Sequence, residues 1–127
     1  MTAKTKNVRA LRPMRVLLVT DDDGLASSVS AAAALQGLRL VRASSADDLD
    51  TTAMQHEPNV VALDGRIALR RTARTATSFG TLHPRIAVVL VAEKAPARSL
   101  AGLRLVNNWR PPERLLHELE LAYLGLD

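Results

Sequence analysis

Cysteine is absent from the 127 residues, and aromatic side chains nearly so: Phe79, Trp109 and Tyr123 are the whole set. The first absence excludes a disulfide scaffold, a thiolate zinc site and a cysteine nucleophile. The second excludes the interleaved aromatic platform on which single-stranded nucleic acid stacks. The apolar run Val16–Val19 is too short for the core of a secretion signal, and far too short to span a bilayer. Glycine-rich phosphate loops of the GxGxxG or Walker type are missing as well. The turn after the first apolar run is rich in aspartate and repels phosphate, which argues against a nucleotide-binding or flavodoxin-like enzyme. His56, His83 and His117 are scattered without ligand spacing, so no histidine metal site is expected.

Acidic residues are missing from one more place. Residues 1–15 carry Lys4, Lys6, Arg9, Arg12 and Arg15 and no acid. The net charge of +4 comes from 17 basic against 13 acidic residues, and setting those five aside leaves 12 against 13. The average basicity therefore belongs to the N-terminus and not to the body of the chain. Residues 1–13 read as a disordered basic arm, with too few serines and too weak an apolar face for a transit peptide. The basic residues of 1–15, with no reading helix, would give non-specific phosphate contacts at most, so nucleic acid is not the expected partner. A cytoplasmic home and one domain over residues 14–127 are expected.

Short β-branched runs alternate with helical segments. Val16–Thr20 reads as a strand, followed by an alanine-rich helix over Leu25–Gln36 that stops at Gly37. Leu38–Ala43 alternates apolar residues with Arg39 and Arg42, as a half-exposed strand near a sheet edge should. A second helix is expected from a cap at Ser44 or Ser45 to about Glu57, before Pro58. Asn59–Asp64 and Arg85–Ala92 are nearly continuous apolar strands, separated by a helix over Ile67–Phe79. A poorly marked helix over Ala95–Leu103, a short strand Arg104–Val106 and an amphipathic helix Pro112–Leu126 complete the pattern. The alternation predicts a (βα)5 doubly wound α/β sandwich with a five-stranded parallel sheet in the order 2-1-3-4-5.

Sites in such sheets lie beyond the carboxyl ends of the strands. Asp21 and Asp22 follow the first strand and Asp64 ends the third, so three carboxylates can converge on one crevice. Hard oxygen ligands suit Mg²⁺, and an aspartate beside that ion can act as a nucleophile towards a phosphoryl group. The bland alternative is a solvated strand end, with Asp23 beside Gly24 capping the next helix. Residues 62–86 hold five arginines (Arg66, Arg70, Arg71, Arg74 and Arg85) against one acid, Asp64. That set reads either as a docking face or as a solvated helix surface. Trp109 reads as packing over the end of the fifth strand, or else as a partner-binding anchor.

From about Met14 to Leu126 the chain resembles a response-regulator receiver domain, the flavodoxin-like module of two-component signalling. VLLV followed by Thr20, Asp21 and Asp22 matches the family's first strand and acid pair, with Asp21 at the principal metal-binding position. Asp64 in PNVVALD matches the phosphoacceptor, and Trp109-Arg110-Pro111 matches the lysine–proline junction, whose peptide bond is usually cis in the family. Departures are as informative. Thr20 replaces the first acid, Val91 replaces the hydroxyl residue that ends strand four, and Arg110 replaces the lysine. The aromatic switch position falls near Val106 or Asn107, and the proline after the phosphoacceptor is missing from Gly65-Arg66-Ile67-Ala68.

The resemblance implies a non-enzymatic signalling module. Asp64 would accept a phosphoryl group from a histidine kinase or phosphotransfer protein, Asp21, Asp22 and Asp64 would hold Mg²⁺, and Arg110 would pair with the phosphoryl charge. With no effector after residue 126, output is expected through a partner protein, or through a homodimer. The homodimer would use the fourth helix, fifth strand and fifth helix, which carry Arg98, Arg104, Arg114, Glu118 and Glu120. Two alternatives stay open: a pseudo-receiver that serves as a phosphorylation-independent docking scaffold, and a DNA-associated regulator using the basic arm.

Overall fold

Side chains alternate between the two faces of a strand, so a strand apolar at every position must be covered on both sides. Val60–Asp64 is such a strand up to its terminal aspartate, with its first four residues buried. The computed structural model describes residues 14–93 and 102–126. It arranges β1 (Arg15–Val19), β2 (Arg39–Ala43), β3 (Val60–Asp64), β4 (Ala87–Val91) and β5 (Arg104–Val106) as one sheet in the order β2-β1-β3-β4-β5. Every neighbouring pair is parallel. The described helices are α1 (Asp23–Leu35), α2 (Leu49–His56), α3 (Leu69–Leu82) and α4 (Pro112–Leu124). The strand order is the expected one. The helix expected over Ala95–Leu103 lies almost wholly outside the described residues, and so does the basic arm.

Two cores follow from the alternation. Val16, Leu18, Val60, Ala62, Val89 and Val91 face α1 and α4, where Val29, Leu115, Leu116 and Leu119 close the layer. Leu17, Val61, Leu63 and Leu90 face the other way, against Ala53 of α2 and Ala73, Ala76 and Phe79 of α3. Each fully buried leucine or valine contributes about 1.5–3 kcal/mol relative to exposure. The edge strand β2 exposes Arg39 and Arg42, as its sequence alternation requires.

Helix ends explain where the boundaries fall. The carboxylate of Asp22 accepts the Leu25 N–H and starts α1, while Asp23 sits in the first turn and pairs with Arg42 at 2.7 Å. Asp22, and not Asp23, is therefore the cap. The second helix begins later than expected. Asp48 accepts the Asp50 N–H and the Thr51 hydroxyl. Ser44 and Ser45 stay in a turn closed by Asp47 and Asp21. Asp47 and Asp21 are engaged by that turn, and Asp48 is left to take the role. α2 ends at Glu57, left-handed at φ 49°, just before Pro58. α4 starts on Pro112 and ends at Gly125, with φ 72°. No helix among the described residues is long and apolar enough to cross a membrane.

Gly65 follows the last residue of β3 and donates its N–H to the Val91 carbonyl at 2.8 Å. A Cβ there would meet Leu90 Cδ1 at 2.8 Å and the Val91 carbonyl oxygen at 3.1 Å. The backbone oxygen cannot retreat without breaking the pairing of β3 with β4. Gly65→Ala is expected to destabilise the fold by about 1–3 kcal/mol, read as a lowered midpoint in urea titration, with the far-UV spectrum unchanged.

Candidate functional site

The carboxyl ends of β1 and β3 lie side by side, and they bring Thr20 to Asp64. Thr20 is buried, and its hydroxyl donates to Asp64 Oδ2 at 2.6 Å while accepting the Asp22 N–H at 3.0 Å. Both valences of the hydroxyl are filled. The threonine that stands where the resemblance expects an acid is thus a neutral donor to the neighbouring carboxylate.

Arg66 lies two residues beyond Asp64 and folds back over it. Its Nε donates to Asp64 Oδ1 at 2.8 Å, and its backbone N–H reaches the same oxygen at 3.1 Å. Its Nη2 bridges Asp64 Oδ2 at 2.9 Å and Asp22 Oδ2 at 2.8 Å. The fork geometry of a guanidinium suits this two-point grip on one carboxylate. Both side chains are largely sheltered, at 12% exposure for Arg66 and 11% for Asp64. The indole of Trp109 supports the guanidinium from behind: Arg66 Cζ lies 4.6 Å from the ring centroid, and Arg110 Cζ lies 3.9 Å from it. Trp109 is itself buried, so it packs over the strand end and at the same time presents its π-face to two cations.

The electrostatics follow from these contacts. Partial burial alone would raise the Asp64 carboxyl, but hydrogen bonds from Arg66 and Thr20 outweigh it and hold the group below its ordinary value of 3.8. Asp22 is lowered by the Arg66 hydrogen bond first, and then by the Leu25 N–H. Arg66 is raised, above all by its bond to Asp64, so it stays charged at any pH the fold survives. Asp21 is lowered too, by the Ser45 hydroxyl and N–H.

The sequence reading places Asp21, Asp22 and Asp64 around one Mg²⁺, and the geometry does not fit that ion. Asp21 turns away to accept the Ser45 backbone N–H at 2.9 Å, together with a short bond from the Ser45 hydroxyl. One oxygen of Asp22 is spent on the α1 cap and the other on Arg66. Both oxygens of Asp64 are occupied by Thr20 and Arg66. Mg²⁺ demands several free oxygens in near-octahedral array, and no group of three or more ligating side chains among the described residues could hold a metal.

Arg110 is placed apart from Asp64. Its guanidinium lies on Trp109 and comes within 3.8 Å of Glu93, both side chains being well exposed. The Arg110–Pro111 peptide bond is cis. Val91 is fully buried in register with Asp64 and offers no hydroxyl. Sequence reasoning grouped Arg66 with the other arginines and missed its role. The available signal was its spacing: a strand-ending aspartate, a glycine that lets the chain turn sharply, then an arginine within reach of that same carboxylate.

Neither a protein-family model nor a curated protein sequence matches the chain. Solved structures do. The chemotaxis protein CheY4 of Vibrio cholerae superposes with a TM-score of 0.72 at 14% identity, over 87% of this chain and 98% of that one. An orphan response regulator of H. pylori gives 0.67 at 17% identity, over 87% and 96%. An atypical orphan response regulator, described as revealing a phosphorylation-independent regulatory mechanism, gives 0.68 at 15% identity, over 87% and 95%. The fold is that of the response-regulator receiver domain.

Two measurements check the site. Arg66→Ala leaves Asp64 sheltered without its cation and is expected to cost about 1–3 kcal/mol in chemical unfolding at pH 7. The lowered pKa of Asp64 stabilises the fold above its unfolded value of 3.8, and that contribution is lost as pH falls through the folded value. Asp64→Asn is therefore expected to lower stability at pH 7 and to flatten the loss of stability below about pH 4 in acid titrations.

Proposed function

We propose that this chain is a receiver-type signalling module that works through protein contacts and does not depend on phosphorylation of Asp64. One observation carries the reading. The guanidinium of Arg66 occupies the space between Asp64 and Asp22 and uses the oxygens that a metal and an incoming phosphoryl group would need. It supplies a tethered positive charge where the resemblance calls for a dissolved one. A nucleophilic carboxylate needs a free oxygen and a cation to neutralise the developing charge. Here both oxygens already accept hydrogen bonds, and the resident cation is held on them through Nε and Nη2.

Two further features support the reading. Val91 has no hydroxyl with which to contact a phosphoryl group, and Thr20 cannot supply the missing carboxylate. The likeness to an atypical orphan response regulator described as phosphorylation-independent points the same way. The homodimer face of the resemblance includes the segment 95–103, most of which lies outside the described residues.

Trp109, stacked on Arg66, provides an internal reporter. With acetyl phosphate and Mg²⁺, or with beryllofluoride, the chain is expected to show no added phosphoryl mass and no change in tryptophan emission. An added mass or an emission change that disappears in Asp64→Asn would overturn the reading and restore Asp64 as a phosphoacceptor.

A further inference from the structure

The longest acid-free stretch of the body runs from Gly65 to Ala92 and contains five arginines. Arg66 is consumed by the site. Arg70, Arg71 and Arg74, all exposed on α3, form no ion pair among the described residues. Beside them, between α3 and α2, runs an open groove of about 340 Å³. Leu49, Phe79 and Leu82 supply its apolar lining, and Arg71 and Arg74 border it.

The acids across the groove do not answer these arginines. Asp48 is the cap of α2, and Asp50 pairs with His83 at 2.9 Å. Four of the five hydroxyls of α3 are spent as well, the exception being Ser78, which lines the groove. Thr72, Thr75, Thr77 and Thr81 each donate to the carbonyl four residues back, at 2.7, 3.2, 3.0 and 2.9 Å. The unpaired charge along α3 is therefore cationic, with the Ser78 hydroxyl beside it and the engaged carboxylates of Asp48 and Asp50 across the groove. Apolar surface flanks them at both ends: Ile67, just before α3, is 99% exposed, and Leu82, at its last turn, is 66% exposed. Unpaired arginines between exposed aliphatic side chains match the composition of a protein interface, where arginine is enriched, better than that of a phosphate-backbone site.

We infer that the α2–α3 face binds an acidic amphipathic segment of a protein partner. Carboxylates of that segment would pair with Arg70, Arg71 and Arg74, and its apolar side chains would seat beside Leu82 and Ile67. The 14 residues of α3 span about 21 Å, which accommodates a partner helix of about 14–16 residues. This surface lies apart from Asp64 and stands whether or not that residue is ever phosphorylated.

The test uses the full chain and three probes. These are a synthetic helix of about 16 residues with glutamates on its central turns and leucines at both ends, the same peptide with glutamine for glutamate, and a duplex DNA of about 20 base pairs. The acidic peptide is expected to shift the backbone amide resonances of α3 and Leu49. It is also expected to bind about tenfold more tightly than the glutamine peptide at low salt, with the margin shrinking as salt rises. Arg71→Glu/Arg74→Glu is expected to weaken binding at least tenfold. Leu82→Ser is expected to weaken it without changing its salt dependence, which separates the apolar from the ionic contribution. Equal binding of the two peptides, unchanged affinity in the charge-reversed variant, or shifts mapping to another face would each overturn the inference. Tighter binding of the DNA than of the acidic peptide, lost in the same variant, would overturn it in favour of a nucleic-acid surface.

Discussion

A single guanidinium holds together the loop ends that a receiver fold otherwise gathers around a metal ion. Carboxylates at the carboxyl ends of adjacent parallel strands repel one another and need a counter-charge. Arg66 supplies it from within the chain, gripping both oxygens of Asp64 and one of Asp22. Much around the crevice follows from this contact. Asp22 can cap α1 with its other oxygen, Thr20 can serve as a neutral donor, and Trp109 can close over the charge as a flat lid. A tethered cation also differs from a dissolved one in having no independent concentration, so its supply does not depend on solution conditions.

A tethered counter-charge has a consequence for signalling. A switch needs two states of comparable free energy, biased by a ligand with different affinity for each. No buried side-chain nitrogen or oxygen among the described residues lacks a partner. On the proposed reading, responsiveness comes from elsewhere on the surface, and α3 leaves three exposed charges of one sign there, unpaired among the described residues. Arg66 and the α3 arginines belong to one acid-free stretch, so the same local composition both neutralises the crevice and charges the adjacent face.

The particulars of the fold were legible because each rests on a local rule. Continuous apolar runs at Val60–Leu63 and Val88–Val91 demand cover on both faces, and the arginines of β2 mark an edge. Short strand–helix alternation leaves few topologies, and the observed order is the one those rules favour. Boundaries were less legible where several capping residues compete. Four polar residues from Ser44 to Asp48 could each begin α2, with only Ala46 interrupting them. The winner was set by which side chains the neighbouring turn had already engaged.

The crevice divides the same way. Sequence alone gave reason to expect Asp21, Asp22 and Asp64 at one crevice, because they stand at the ends of strands that a parallel sheet places side by side. It also showed that Thr20, Val91 and Arg110 depart from a phosphotransfer site, because those are matters of residue type. It could not decide where three carboxylates would point or which arginine would answer them. Side-chain direction depends on partners distant in the chain: Ser45 draws Asp21 outward, the α1 terminus draws Asp22, and Arg66 reaches back across both strand ends. The charge pattern announced a surplus of arginine after Asp64. Only the tertiary structure separated the one that neutralises the crevice from the four that face solvent, because sheet register and the turn at Gly65 fix which guanidinium can reach a carboxylate.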